Sequence, residues 1–201
     1  MAQTVFAPWA EPAPNAPGHM TADELARLPD DGWAYELIEG RLVRMPPPGF
    51  EHGVNELDLA ASLLYYVRDH HLGSVTVGDT GFILTLPDEP DTVLGADIAF
   101  VRAERLPPQG SPERRGYLRL APDLVVEVAS PSQFRPELSA KARLWLAAGT
   151  RLVWVLWASR RVVDVWLPGP DAPAATLTSE QHLDGLDVVP GFSYPVGRLF
   201  D

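Results

Sequence analysis

Three short runs of this chain are apolar on both faces: Gly95-Ala-Asp-Ile-Ala-Phe-Val101, Asp123-Leu-Val-Val-Glu-Val128 and Leu152-Val-Trp-Val-Leu-Trp157. A strand with no polar face belongs inside a sheet that is covered on both sides, so these runs demand flanking helices. Two of them carry a single carboxylate each, Asp97 and Glu127. An ionised carboxylate among valines is expensive unless a cation or a donor compensates it, so both positions need a partner supplied by the fold.

The rest of the sequence supplies the covering elements. Residues 1–20 are rich in Pro and Ala with little pattern and read as a flexible N-terminal arm ahead of a single domain spanning 21–201. Thr21-Ala-Asp-Glu24 has the form of a capping box opening a short helix, which Pro29 and Asp30-Asp-Gly32 end. Two alternating segments from Tyr35 to Met45 meet at Glu39-Gly40 and predict a hairpin, stopped by Pro46-Pro-Pro-Gly49. From Gly53 to about His71, Val54, Leu57, Ala61 and Leu64 recur at helical spacing, with Ala60, Leu63 and Val67 widening the stripe and Gly73 as a stop. His70 and His71 fall in the last turn, where a cation complements the helix dipole, and carry no assigned chemistry. A second helix is expected over 138–148 with Gly149 after it. Strands are expected near 74–86, 95–101, 123–129, 151–157 and 161–167. The tail from 175 reads as an irregular strand plus a closing turn that covers an edge.

Composition limits what such a domain can do. No apolar run approaches the roughly 20 residues that cross a bilayer, and cysteine is absent, so the expected setting is soluble, cytoplasmic and free of membrane contact. The formal net charge of −11 leaves no obvious basic surface for a nucleic acid. A carboxylate cluster that recruits divalent cations would add negative charge while making a local site attractive to phosphate.

The 16 Lys and Arg residues are 15 arginines and one lysine, Lys141, which stands 14 residues after Glu127. In a chain so biased toward arginine, a retained lysine points to a task for a compact ammonium on a flexible stem. An alternative is a plain pairing with Glu137 one helical turn earlier. If the strands of Asp97 and Glu127 are neighbours, their carboxylates can meet and hold a hard, oxygen-preferring ion such as Mg2+, with Lys141 reaching back from the next helix. Two carboxylates and a lysine around a divalent ion suit phosphodiester hydrolysis, since the metal polarises a phosphoryl oxygen and acidifies a water.

Tyr35-Glu-Leu-Ile-Glu-Gly40, a proline-rich turn ending in His52, Ala96-Asp97, Ala121-Pro-Asp-Leu-Val-Val-Glu127-Val-Ala-Ser-Pro-Ser132, Lys141 and Ala148-Gly149 together resemble the Uma-type putative restriction endonucleases over about residues 20 to 200. That family belongs to the PD-(D/E)XK nuclease superfamily, and in it the lysine usually two residues after the glutamate has moved to the following helix. Ala129 holds the usual place here, and Lys141 is the substitute. The resemblance implies Asp97, Glu127 and the carbonyl of Val128 as metal ligands and Lys141 as the catalytic lysine. It also matches Glu36 and His52, a third carboxylate and a group that could orient a water, a phosphate or Glu36. Two departures are Ala96, where proline is frequent, and Trp145, which represents the aromatic a few residues after the lysine. Ser130-Pro-Ser132 reads as a turn that aims the helix, since no histidine follows it in a triad arrangement.

The expected fold is α/β with a restriction-endonuclease-like core, a mixed twisted sheet flanked by helices, an added N-terminal hairpin and the site at a sheet edge. The expected function is DNA hydrolysis with Mg2+ or Mn2+, with DNA as partner and a homodimer allowed. The alternatives are a catalytically silent binding or assembly module, and a metal-dependent hydrolase of another phosphate-containing substrate.

Overall fold

The Glu39-Gly40 pair turns the first hairpin as its residue types require. Both residues are left-handed, with φ of +50° and +74°, the two-residue turn whose twist matches that of the strands it joins. It links β1 (Ala34–Ile38) to β2 (Arg41–Met45) through five paired positions. The protein is seen here as a computed structural model that describes residues 18–45, 47–86, 90–130 and 133–201. Most of the expected arm, residues 1–17, therefore lies outside the described residues, as do Pro46, Pro131 and Ser132 of the expected turns. Met20 is buried and its N–H donates to the Gly40 carbonyl at 2.7 Å. The capping box forms at α1 (Ala22–Leu25), with the Thr21 hydroxyl accepting from the Glu24 N–H and the Glu24 carboxylate from the Thr21 N–H.

The long helix α2 (Phe50–Asp69) starts nearly a turn earlier than Gly53, entering from Gly49 without a side-chain cap. Leu59, Ala60, Leu63 and Val67 form its buried stripe, whereas Val54 and Leu57 of the expected stripe are exposed, because the face that meets the sheet is rotated from the one their spacing marks. His70 ends it, stacked on Tyr66 with ring centroids 4.0 Å apart and Nδ1 at 2.9 Å from the Tyr66 carbonyl oxygen. The strands that follow are β3 (Gly73–Leu84), β4 (Thr92–Arg102), β5 (Leu124–Val128), β6 (Leu152–Trp157), β7 (Val162–Trp166) and β8 (Ala175–Thr178). Helix α3 (Arg135–Ala147) connects β5 to β6, a parallel pair in a mixed sheet; a parallel connection needs such a crossover. It starts a turn before Leu138, which Pro136 in its first turn permits, and Gly149 at φ +109° closes it.

Each face of the sheet has its own core. On one, α2 packs with Ile98, Phe100, Val126 and Trp154. On the other, Leu138, Ala142 and Trp145 of α3 cover Val125, Val153 and Val155. The tail departs from expectation. Strand β8 extends the sheet beside β7, but among the described residues β9 (His182–Asp184) and β10 (Ser193–Pro195) pair only with each other. Val188, Val189, Phe192, Val196 and Leu199 then bury against the α2 side, so the tail covers a face and not just an edge.

Strand β4 decides where the site can be. Along one side it pairs with β3 from Thr92 to Arg102, interrupted by a bulge between Val77 and Thr80. Along the other it meets β5 only at residues 98–100 and β1 only at Val93. Among the described residues, 94–97 thus have no strand partner on that side. The site expected at a sheet edge lies in this interior split, because β1 and β5 diverge there and leave backbone groups for side chains to satisfy.

Candidate active site

The split is filled by charged side chains from four elements. Lys141 takes a place in the buried stripe of α3, between Leu138 and Ala142, and is only 4% exposed. Its Nζ lies 2.9 Å from Glu36 Oε1, 3.1 Å from Glu127 Oε2 and 2.9 Å from the Gly95 carbonyl oxygen. An ammonium has three N–H donors, and here each has one acceptor. A planar guanidinium would not fit three acceptors gathered around one point. Glu137 does not compete for the lysine; it caps the helix start by accepting from the Phe134 N–H at 3.3 Å.

Side chains also replace the missing ladder. The Gly95 N–H donates to Glu36 Oε1 at 2.9 Å, and the Val128 N–H donates to Asp97 Oδ2 at 2.5 Å. Trp145, one turn after Lys141, donates its indole N–H to Glu127 Oε1 at 2.7 Å. The other Asp97 oxygen lies 3.2 Å from Nε2 of His52, in the first turn of α2. The structure therefore brings Glu36, Asp97, Glu127, Lys141, His52 and the backbone of Val128 into one locality.

Burial and neighbours set the charges. Burial pushes the Glu127 carboxyl up to about 8, opposed by Lys141 and assisted by the charges of Asp97 and Glu36. Burial also works against the Lys141 ammonium, but Glu127, Glu36 and Asp97 outweigh it and move its pKa upward, so the lysine is a permanent cation. For Asp97, burial is overcome by the hydrogen bond and charge of His52, by Lys141 and by the Val128 N–H, and the carboxyl stays below its usual range. His52 is raised because Asp97, Glu56 and Asp79 together outweigh its desolvation.

Two members of this group had no signal in the sequence. Asp79 occupies the β3 bulge at φ +54°, a left-handed conformation uncommon for a residue with a side chain. It keeps contact with solvent, yet its carboxyl is pushed up to about 6, first by crowding against the fold and then by the Asp97 charge. Glu56, one turn after His52 on α2, accepts from the Gly78 N–H at 2.9 Å and so pins the bulge from the far side. Burial raises its pKa as well. A bulge that aims a carboxylate cannot be read from alternation, and Glu56, though on a regular helix, has its role only through that bulge. Gly95 completes the arrangement: a Cβ there would stand 3.0 Å from the Asp79 carbonyl oxygen.

No three carboxylate or imidazole groups among the described residues form a ready metal cage. The donor set nevertheless suits a hard divalent cation. Glu36, Asp97 and Glu127 surround one permanent cation, and Glu36 Oε2 is buried with no hydrogen-bond partner. A buried acceptor without a donor is the unmet valency that a bound cation would satisfy.

The sequence matches the Uma2 family, described as "Putative restriction endonuclease", over residues 22–197. The chain belongs to the Uma2 family. Among solved structures, four chains match, one being a putative nuclease belonging to DUF820 from Anabaena variabilis ATCC 29413. It superimposes with a TM-score of 0.72 at 20% identity, covering 90% of this chain and 97% of that one. At that identity the likeness establishes the fold. No curated protein matches. No helix among the described residues of this Uma2 chain is long and apolar enough to cross a membrane.

Proposed function

We propose that this Uma2 protein is a cytoplasmic endonuclease that hydrolyses DNA phosphodiester bonds with Mg2+ or Mn2+. The observation that carries the reading is the chain's single lysine, sealed in a sheet split between Glu36 and Glu127 beside an unpartnered Glu36 oxygen. Asp97, Glu127 and the Val128 carbonyl would hold the cation, with Glu36 as a further carboxylate. The cation would supply charge to a phosphoryl oxygen and acidify a water.

The chain's own groups do the rest. Lys141 places a fixed positive charge where the phosphate gathers negative charge, and Trp145 fixes the rotamer of Glu127 through its indole N–H. His52 holds Asp97 through Nε2, while its Nδ1 is buried without a partner and is free to take or give a proton. The backbone donors to Asp97 and Glu36 keep both side chains from rotating away from the split. Nicking of supercoiled plasmid in Mg2+ or Mn2+, suppressed by EDTA and by Lys141→Ala, tests the reading. Absence of nicking by the wild type under all divalent ions would refute it.

The net charge of −11 favours a second reading, hydrolysis of a phosphate-containing substrate smaller than DNA, or binding without turnover. A panel of phosphodiesters and phosphomonoesters separates these. We also propose a homodimer, because Phe50, Leu57 and Tyr65 project from α2 with 84%, 68% and 67% exposure; light scattering decides it.

A further inference from the structure

Glu36, Glu127 and Lys141 are almost sealed, so substrate must meet them where the site borders open volume. One border is a cleft of about 370 Å3 between the α1–β1 connection and the bulge of β3. Asp79 and Gly95 belong to both cleft and site. The Gly95 N–H and carbonyl are held by Glu36 and Lys141, and the Asp79 carbonyl oxygen stands 3.0 Å from where a Gly95 Cβ would be. Whatever fills the cleft is therefore one residue away from the catalytic groups.

The walls of the cleft define a flat occupant. Trp33, Tyr35 and Tyr117 contribute three aromatic rings; Gly78 leaves open space, while Tyr117 and Asp79 pack where Gly81 and Gly95 lack a Cβ. The Tyr117 ring lies so close over Gly81 that a Cβ there would meet it at 2.6 Å, which fixes the ring against β3. Tyr35 is anchored by its hydroxyl, which donates to Asp31 at 2.8 Å. Arg44 stacks on the Trp33 ring at 3.9 Å, which holds that ring and sets a cation directly behind the cleft wall it forms. Aromatic rings beside a guanidinium are the means by which proteins hold an unpaired base and its backbone, since every base has a π-face. A cleft of this volume takes a small-molecule-sized unit and excludes a duplex.

We propose that this cleft is a substrate subsite for one unpaired nucleotide, its base stacked on the aromatic wall and its backbone leading into the split. The substrate would then be single-stranded, or a duplex with an extruded nucleotide. The proposal rests on the nuclease reading.

The test is equilibrium binding in EDTA, where the strand is not cut, using fluorescein-labelled single strands, the matching duplex and a single strand of abasic sites. The wild type should bind the base-bearing single strand at least about tenfold more tightly than the abasic strand or the duplex. Trp33→Ala should remove that preference, and Trp33→Phe should restore most of it. Trp33 is 42% exposed, so neither change threatens the core. Equal affinity for abasic and base-bearing strands, tighter binding of the duplex, an unchanged Trp33→Ala, or no binding at all would each overturn the subsite. Plasmid nicking in Mg2+ separates the two claims. Base-dependent binding without nicking removes the nuclease and supports the cleft, whereas nicking without base dependence removes the cleft alone.

Discussion

Replacing Lys141 with methionine keeps the length of the side chain and deletes its charge. The three acceptors around Nζ then lose their donor at once: Glu36 Oε1, Glu127 Oε2 and the Gly95 carbonyl. Removing one partner of a buried ion pair costs about 3–5 kcal/mol, because the other charge stays buried and uncompensated. A domain of this size is stabilised by about 5–15 kcal/mol in all, and each kcal/mol moves its melting temperature by about 2–4 °C. Lys141→Met should therefore melt roughly 6–20 °C below the wild type at pH 8.

The pH dependence sharpens this expectation. Glu127 has a folded pKa of about 8 against an ordinary 4.5. A raised acid contributes stability that is fully present below its unfolded value and is lost as pH rises through the folded one. Without the ammonium, the folded value of Glu127 climbs further and the loss runs over a wider range. The gap between variant and wild type should thus be smallest near pH 5 and widen above pH 8. Thermal unfolding followed by circular dichroism at pH 5, 7 and 9 measures it. A gap below about 3 °C at pH 8, or one that does not vary with pH, would refute the view that this lysine neutralises buried carboxylates.

Other outcomes follow from the same contacts. Trp145→Phe deletes the donor to Glu127 Oε1 and should cost about 1–3 kcal/mol, read by urea denaturation. Asp79→Asn should raise the melting temperature above pH 6 and leave it unchanged below about 3.8, since the strained ionisation exists only in the folded protein above that window. Gly95→Ala pushes on the Asp79 carbonyl and should depress plasmid nicking more than it depresses melting temperature.

How much of this was legible beforehand varied with the kind of backbone. The apolar runs of β4, β5 and β6 and the period of α2 and α3 sit on regular elements, and each appears within a turn or a few residues of its expected place. Lys141 was legible twice over, as the one lysine and as the residue that the family likeness puts on the helix after Glu127; that it stands in the buried stripe of that helix appears only in the structure. Asp97 and Glu127 were legible as lone carboxylates in apolar strands, and Glu36 and His52 by family likeness, although their meeting depends on β1 and β5 parting along β4, a tertiary event with no local signature. Asp79 and Glu56 were invisible because a bulge at positive φ and a long contact from α2 place them. The tail misled in a different way. Its glycines and prolines suggested a covering turn, whereas Val188, Val189, Phe192 and Leu199 complete the α2-side core.

The most direct test of the central claim is the rate of supercoiled plasmid nicking by wild type and Lys141→Met, both confirmed folded by circular dichroism at the assay temperature. The account predicts cleavage by the wild type in Mg2+ or Mn2+, none in EDTA, and a loss of at least a hundredfold in the variant. Equal rates for the two folded proteins, or a wild type that leaves the plasmid intact with every divalent ion, would contradict it.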